Sequence, residues 1–128
     1  MHFGRYEGCI LGLAIGDALG MPTEFLSLAR IRELFGPEGV TGLETGQWPA
    51  GHFTDDTQMT LALADAILAA GVDASVDEIM AAVAREFVAW NDDPVGGHRA
   101  PGNTCQTGCR NLAAGIPWRE AGVEWSKG

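Results

Sequence analysis

Three consecutive side chains with hard oxygen donors, Thr54, Asp55 and Asp56, lie where a glycine- and proline-rich loop meets an apolar run. Carboxylate and hydroxyl oxygens are the ligands that Mg²⁺ prefers in proteins. The same residues are typical of a helix N-terminus, where Thr54 would be the cap and the two aspartates would face the positive end of the helix dipole. From these residues alone, capping is the commoner explanation and a metal site is the alternative.

Two of the acidic residues that precede this motif, Asp17 and Glu24, are further candidates. Asp17 lies late in an apolar stretch, residues 6–19, that predicts a helix, so its carboxylate is either at the surface or in a polar pocket. Glu24 follows Pro22, which breaks the helix, and precedes an aromatic residue. A single glutamate in a loop is usually solvated, so position alone assigns neither carboxylate a chemical role.

A second glycine-rich loop covers residues 96–104 and leads into a helix predicted at about residues 105–114. Junctions of this kind present backbone amides to anions. Ordinary turn formation explains its Pro-Gly-Asn sequence equally well. Both interpretations stay open at this point.

The remaining pattern predicts a series of helices without a convincing strand, so the fold class is all-α. Ser27 and Ser75 are predicted N-caps, and Ser75 forms a capping box with Glu78. A long loop covers residues 39–53 and separates the second and third helices. The predicted helices cover residues 6–19, 27–35, 55–71, 75–90, 105–114 and 116–121.

A row of glycines marks one face of the first helix. Gly8, Gly12, Gly16 and Gly20 recur every four residues and therefore stack along the helix. Each glycine in a helix interior costs about 0.5–1 kcal/mol relative to alanine. The row therefore predicts that another element, usually a helix, packs closely against this face.

The composition narrows the class of protein. With 128 residues, 46% of them hydrophobic, we expect one globular domain over residues 1–128. The net charge of −9 argues against nucleic acid as a partner.

The three cysteines do not form a disulfide framework. Cys105 and Cys109 lie four residues apart and are predicted to be buried free thiols on one helix face. Without a signal pattern or a membrane-length apolar run, we expect a cytoplasmic protein with no membrane partner.

Several common catalytic and binding motifs do not occur in the sequence. There is no phosphate-binding P-loop, no dinucleotide fingerprint and no serine-hydrolase elbow. The cysteines and histidines lack zinc-ligand spacing.

Four segments together resemble the ADP-ribosylglycohydrolase family, all-helical Mg²⁺-dependent hydrolases that remove ADP-ribose from modified proteins, and in particular its dinitrogenase reductase-activating type. The first two segments are specific in combination, and the order and approximate spacing of all four match. The resemblance implies an orthogonal multi-helix bundle. The segments are residues 12–24 (GLAIGDALGMPTE), 54–59 (TDDTQM), 99–104 (RAPGNT) and 124–128 (EWSKG).

The resemblance also implies roles for the candidate residues. Thr54, Asp55 and Asp56 correspond to the N-terminal half of a site for two Mg²⁺ ions, for which Mn²⁺ can substitute. Glu24 and Asp56 correspond to catalytic carboxylates. The partner implied is ADP-ribose or an ADP-ribosylated protein, and the residues implied to bind or support it are Asp17, Gly102 and Asn103.

Members of the resembled family are considerably longer and carry, further along, a glycine-rich loop and a second Asp-x-Asp-Thr motif that completes the metal site. We therefore expect these residues to form an incomplete N-terminal portion of the domain, with little hydrolase activity alone. Apolar faces left without partners would promote self-association. The alternatives are a non-catalytic helical module that binds metal or a partner, and a structural protein in which Asp55 and Asp56 only cap a helix.

Overall fold

The computed structural model describes residues 3–123, and residues 124–128, the fourth segment of the resemblance, lie outside that range. No strand occurs in the described range, so the all-α prediction is confirmed. A short 3₁₀ turn, Met21–Thr23, follows the first helix. The α-helices are α1 (Phe3–Gly20), α2 (Leu28–Phe35), α3 (Asp55–Ala70), α4 (Val76–Asp92) and α5 (Asn103–Ala113).

The predicted helix starts follow from local capping chemistry. The Ser27 hydroxyl accepts a hydrogen bond from the Arg30 amide at 3.3 Å and begins α2. Ser75 and Glu78 form both hydrogen bonds of the predicted capping box and begin α4. Because these caps satisfy amides that lack a partner within the helix, they fix the first turn from the sequence alone.

The short helix predicted at residues 116–121 is wrong, because this segment forms a single turn. The Pro117 carbonyl accepts hydrogen bonds from the amides of Glu120, at 2.8 Å, and Ala121, at 3.0 Å, and the pattern stops there. The Asn111 side-chain amide donates to the Ala121 carbonyl at 3.0 Å. A turn held by α5 in this way does not extend into a helix, although its local sequence is compatible with one.

The close packing predicted for the glycine face of α1 is also wrong. A Cβ added at Gly8, Gly12, Gly16 or Gly20 would meet no neighbouring atom within 4 Å among the described residues. The buried part of α1 is elsewhere, at Ala18. Contacts within the described chain therefore do not account for the glycine row.

The chain divides into two compact units, residues 1–57 and 58–128. In the first, the loop after α2 approaches the 3₁₀ turn so closely that a Cβ at Gly46 would lie 2.5 Å from the Pro22 Cα. In the second, α4 packs against α5, and the apolar core centres on Ala66, Ala82 and Val83. The single-domain expectation for residues 1–128 stays a prediction.

Many large apolar side chains remain exposed in the described residues, including Leu11 and Ile15 on α1 and Leu68 on α3. Self-association through such faces stays a prediction. No single helix within residues 3–123 has the length and apolar character needed to cross a bilayer. Only Gly4–Thr23 and Leu28–Phe35 together, bent by 97°, meet that criterion of length and composition.

Candidate functional site

The carboxylate of Asp17 on α1 receives four hydrogen bonds from two threonines at the start of α3. Its Oδ2 accepts from the amide of Thr54 at 2.8 Å and from the amide and hydroxyl of Thr57 at 3.2 and 2.5 Å. Its Oδ1 accepts from the Thr54 hydroxyl at 2.7 Å. Of the two placements left open by the sequence, the structure shows the polar pocket.

The two threonines are the buried polar residues of this pocket, with only 5% of Thr54 and 3% of Thr57 exposed. They lie three residues apart, so their side chains share one face of the first turn of α3. The Thr54 hydroxyl also accepts a 3.4 Å hydrogen bond from the Asp56 amide, as expected of an N-cap. Asp17 thus acts as a second cap, contributed by a different helix.

The sequence did not single out Thr57, although its hydroxyl makes the shortest of the four hydrogen bonds to Asp17. The usable signal was the T-D-D-T spacing itself. Threonines at positions i and i+3 of a first helical turn both face whatever caps that turn, and a carboxylate is the group that can accept from both.

Four carboxylates in the first unit influence one another: Asp17, Glu24, Asp55 and Asp56. Desolvation, followed by the negative charges of the other three, raises the pKa of Glu24. Desolvation and the charges of Asp56 and Asp17 likewise raise the pKa of Asp55, opposed in part by a hydrogen bond to backbone. Negative charges that raise the pKa values of Glu24 and Asp55 are favourable for binding a divalent cation, which would reverse the repulsion.

Glu24 is held at the end of the 3₁₀ turn by an unusual backbone. The next residue, Phe25, has φ of 64°, in the left-handed region that residues with a side chain seldom occupy. The Thr23 hydroxyl donates to the Gly20 carbonyl at 2.8 Å, and the Glu24 amide donates to the Met21 carbonyl at 3.4 Å. Strained backbone of this kind clusters at functional sites because the surrounding structure must maintain it.

In the second unit, Gln58 on α3 anchors the other glycine-rich loop. Its buried side-chain amide donates to the carbonyls of Val95 and Gly97 at 3.0 and 2.9 Å, and its oxygen accepts from the Trp90 indole at 3.3 Å. His98 lies edge-on to Trp90, with ring centroids 6.1 Å apart. The predicted substrate-binding residues Gly102 and Asn103 lie at the end of this loop, where Gly102 is the N-cap of α5 and Asn103 its first residue.

No three Cys, His, Asp or Glu side chains in residues 3–123 are grouped so that they could hold a metal ion by themselves. An ion at the start of α3 would therefore also need the Thr54 hydroxyl, water or ligands from a further segment. The assignment of Thr54, Asp55 and Asp56 as metal ligands stays a prediction, as do the catalytic and substrate-binding assignments of the other site residues.

The similarity to known proteins extends over nearly the whole sequence, since the ADP-ribosylglycohydrolase family model matches residues 2–128. The chain belongs to the ADP-ribosylglycohydrolase family. The resemblance found in the sequence motifs is thereby confirmed. No solved structure matches the chain.

Two relatives match along most of the chain. A protein of uncharacterised function from Archaeoglobus fulgidus is 37% identical over 125 residues, which cover 93% of this chain and 37% of the relative. The ADP-ribosyl-[dinitrogen reductase] glycohydrolase of Rhodospirillum rubrum is 39% identical over 111 residues, 83% of this chain and 34% of the relative. The chain therefore spans about a third of the length of these relatives.

A shorter match connects the chain to an enzyme named for its substrate linkage. The ADP-ribosylarginine hydrolase Tri1 of Pseudomonas putida is 44% identical over 69 residues, 52% of this chain and 17% of the relative. The name of the Rhodospirillum rubrum relative thus refers to ADP-ribosyl-[dinitrogen reductase], and that of the Pseudomonas putida relative refers to ADP-ribosylarginine.

Proposed function

We propose that this ADP-ribosylglycohydrolase family protein removes ADP-ribose from modified proteins by hydrolysis, and that Asp17, Glu24, Thr54, Asp55 and Asp56 form part of its active site. The observation that carries the proposal is the carboxylate cluster at the start of α3, where the pKa values of Glu24 and Asp55 are raised. Family membership and the names of the relatives support the reaction class.

We propose Mg²⁺ as the cofactor, bound by Thr54, Asp55 and Asp56, with Mn²⁺ as a substitute. The chemistry of the donor set fits, because carboxylate and hydroxyl oxygens suit Mg²⁺. The Thr54 hydroxyl donates its single proton to Asp17, and this leaves lone pairs on the oxygen for other partners. When bound, the ion supplies Lewis acidity and a fixed positive charge that can orient the hydroxyls of the ribose.

In the proposed reaction, water adds to the anomeric carbon of the ribose and the glycosidic bond to the protein side chain breaks. One proton of the water goes to a carboxylate, and the leaving nitrogen or oxygen receives a proton. Glu24 and Asp56 are the residues assigned to these transfers. A carboxyl with a raised pKa, as at Glu24, is better matched to proton transfer near neutral pH than an unperturbed one.

The role of Asp17 in this proposal is to position other residues. Its four hydrogen bonds fix Thr54 and Thr57 and thereby the first turn of α3, on which Asp55 and Asp56 lie. Successive residues of a regular helix point about 100° apart, and Thr54 can deviate from that spacing because it precedes the helix, which begins at Asp55.

ADP-ribosylarginine is the first substrate to test, because the Pseudomonas putida relative is named for that linkage. The assay measures release of ADP-ribose from an arginine-modified substrate protein, with and without Mg²⁺. The enzyme in the assay is the complete protein. We expect Mg²⁺-dependent release that Asp56→Ala abolishes and that Asp65→Ala, at an exposed position of the same helix, leaves unchanged. Release that survives Asp56→Ala would contradict the proposed site.

A second candidate function is a helical module that binds metal or a partner without catalysis. This alternative is favoured by the small number of metal ligands. Thr54, Asp55 and Asp56 supply few of the roughly dozen oxygens that two octahedral ions require. Calorimetry on the 128-residue polypeptide distinguishes the two functions. Micromolar binding of both Mg²⁺ and ADP-ribose supports the hydrolase, whereas binding of metal without ADP-ribose supports the module.

A further inference from the structure

Three sulfur atoms gather in the second unit, and none of them belongs to a residue assigned to hydrolysis. The Cys105 thiol donates to the Met59 thioether at 3.0 Å and also hydrogen-bonds the Cys109 thiol. Cys109 is buried, with 3% of its surface exposed, and Cys105 is half-buried. We refer to Met59, Cys105 and Cys109 as the sulfur cluster.

The sulfur cluster lines an apolar cavity of about 270 Å³. Val83 and Phe87 of α4 form another part of the wall, and Trp118 and Ala121 of the turn after α5 contribute to it. Met80 also lines this cavity and brings a fourth sulfur-bearing side chain to it. The cavity therefore offers soft donors in surroundings that are poor in the oxygen ligands preferred by hard cations.

We propose that the sulfur cluster binds one soft monovalent cation of the Cu(I) class, with Cys105 and Cys109 as thiolate ligands and Met59 as the thioether ligand. Thiolate and thioether sulfurs select Cu(I) over the hard cations that carboxylates bind. The two cysteines lie four residues apart on α5, so they are neighbours on one helix face. The site is independent of the proposed hydrolase function.

Ligation requires the Met59 sulfur to move away from Cys105. Metal–sulfur bonds of about 2.3 Å in a trigonal arrangement separate the sulfurs by roughly 4 Å. The Met59 sulfur, at 3.0 Å from Cys105, must therefore withdraw by about 1 Å. Methionine has three rotatable side-chain bonds and makes such adjustments readily.

Binding exchanges protons for metal without a redox step. The two thiols release two protons as two sulfur–metal bonds form, and the copper stays in its monovalent state. Burial raises the pKa of the Cys109 thiol, opposed in part by a hydrogen bond with the Cys105 side chain. The cation must therefore displace a proton at Cys109, a thiol that burial keeps in its neutral form at neutral pH.

The chain contains its own control, because Cys9 is exposed on α1 in the first unit. The test is an anaerobic titration of the reduced protein with Cu(I) in competition with a chromophoric Cu(I) chelator. We expect one equivalent per chain. Cys105→Ser and Cys109→Ser should each weaken binding by about 100-fold or more, and Met59→Leu by about tenfold. Cys9→Ser should leave both stoichiometry and affinity unchanged.

A measurement on the unmodified protein covers the case in which a serine variant fails to fold. The X-ray absorption spectrum of the Cu(I)-loaded chain should show a shell of sulfur neighbours only. A shell that includes nitrogen or oxygen, a loss of binding in Cys9→Ser, or equal affinity in all four variants would overturn the proposal. The two α5 thiols would then be ordinary apolar packing residues.

Discussion

The Asp17 carboxylate holds both the amide and the hydroxyl of Thr54, at 2.8 and 2.7 Å, across 37 positions of the sequence. The hydroxyl has one proton, and Asp17 accepts it, so the remaining lone pairs of that oxygen are directed elsewhere. One of them accepts from the Asp56 amide. The Thr54 hydroxyl therefore caps α3 and at the same time is oriented by Asp17. Capping does not prevent the same oxygen from serving as the proposed metal ligand.

Asp17→Asn should destabilise the protein by roughly 1.5–3 kcal/mol, the range for hydrogen bonds to charged groups. The amide nitrogen of asparagine cannot accept, so it cannot replace both carboxylate oxygens opposite the two threonines. Urea denaturation followed by helical circular dichroism measures the change. Asp65→Asn, at an exposed position of α3, is the matched control and should shift stability by about 0.5 kcal/mol or less. Equal effects of both changes would show that the four hydrogen bonds to Asp17 do not stabilise the fold.

Stability without metal should depend on the ionisation of Asp55. Its pKa is raised above the ordinary aspartate value of 3.8, so the folded state holds the proton more tightly than the unfolded state. The charge on Asp55 therefore destabilises the fold as pH rises from about 3.8 through the raised pKa, and this destabilisation is absent at lower pH. Asp55→Asn should accordingly be more stable than the parent protein at neutral pH and similar to it in acid.

Denaturant titrations of both proteins across that pH range measure the difference. Addition of Mg²⁺ at neutral pH should reverse the order, because the ion stabilises only the protein that keeps the carboxylate. A stability difference that does not vary with pH would contradict the raised pKa of Asp55.

Gly46→Ala should destabilise the first unit by about 2 kcal/mol or more. The added Cβ would lie 2.5 Å from the Pro22 Cα and 2.9 Å from the Met21 sulfur, and the backbone contact cannot be relieved by a side-chain rotation. Gly42→Ala is the control, since its Cβ would meet no atom within 4 Å. Thermal unfolding of the two variants gives the comparison, and similar midpoints would show that the loop does not pack on the 3₁₀ turn.

Gln58→Leu should loosen the loop around Val95 and Gly97. The substitution removes the two donors to their carbonyls and the acceptor for the Trp90 indole, at a cost of about 1–3 kcal/mol for each buried group left unpaired. Hydrogen exchange of the amides in residues 94–102 should become faster. Gln47→Leu, at an exposed loop position in the first unit, should leave that exchange unchanged. If the amides of residues 94–102 stay protected in Gln58→Leu, contacts other than those of Gln58 hold the loop in place.

Local chemistry accounts for most of the helical architecture. Ser27 and Ser75 satisfy amides within their own first turns, so the starts of α2 and α4 follow from a few neighbouring residues. The turn at Pro117 is different, because α5 holds it through Asn111, and a sequence pattern does not reveal such a contact. The glycine row of α1 is periodic in the sequence but has no close neighbour in the described chain.

In the site, too, interactions between neighbouring residues could be predicted, whereas those between residues far apart in the sequence could not. The acidic first turn of α3 and its threonine cap could be predicted, since both are local features. The placement of Asp17 could not, because a carboxylate in an apolar helix is compatible with both solvent and a pocket. Thr57 was missed because its hydrogen-bonding partner lies 40 positions earlier. Family resemblance, and not spacing, linked Asp17 and Glu24 to the motif at Thr54.

The most direct test of the account is the occupancy of the start of α3 by a divalent cation. Crystals of the protein soaked in Mn²⁺ would be measured for anomalous scattering, with Asp55→Asn/Asp56→Asn crystals as the matched control. We predict a peak at coordination distance from oxygens of Thr54, Asp55 and Asp56, which is about 2.0–2.1 Å for Mg²⁺ itself, and its loss in the double variant. An absence of density there, with both aspartates directed to solvent, would contradict the proposed metal site and the hydrolase function built on it.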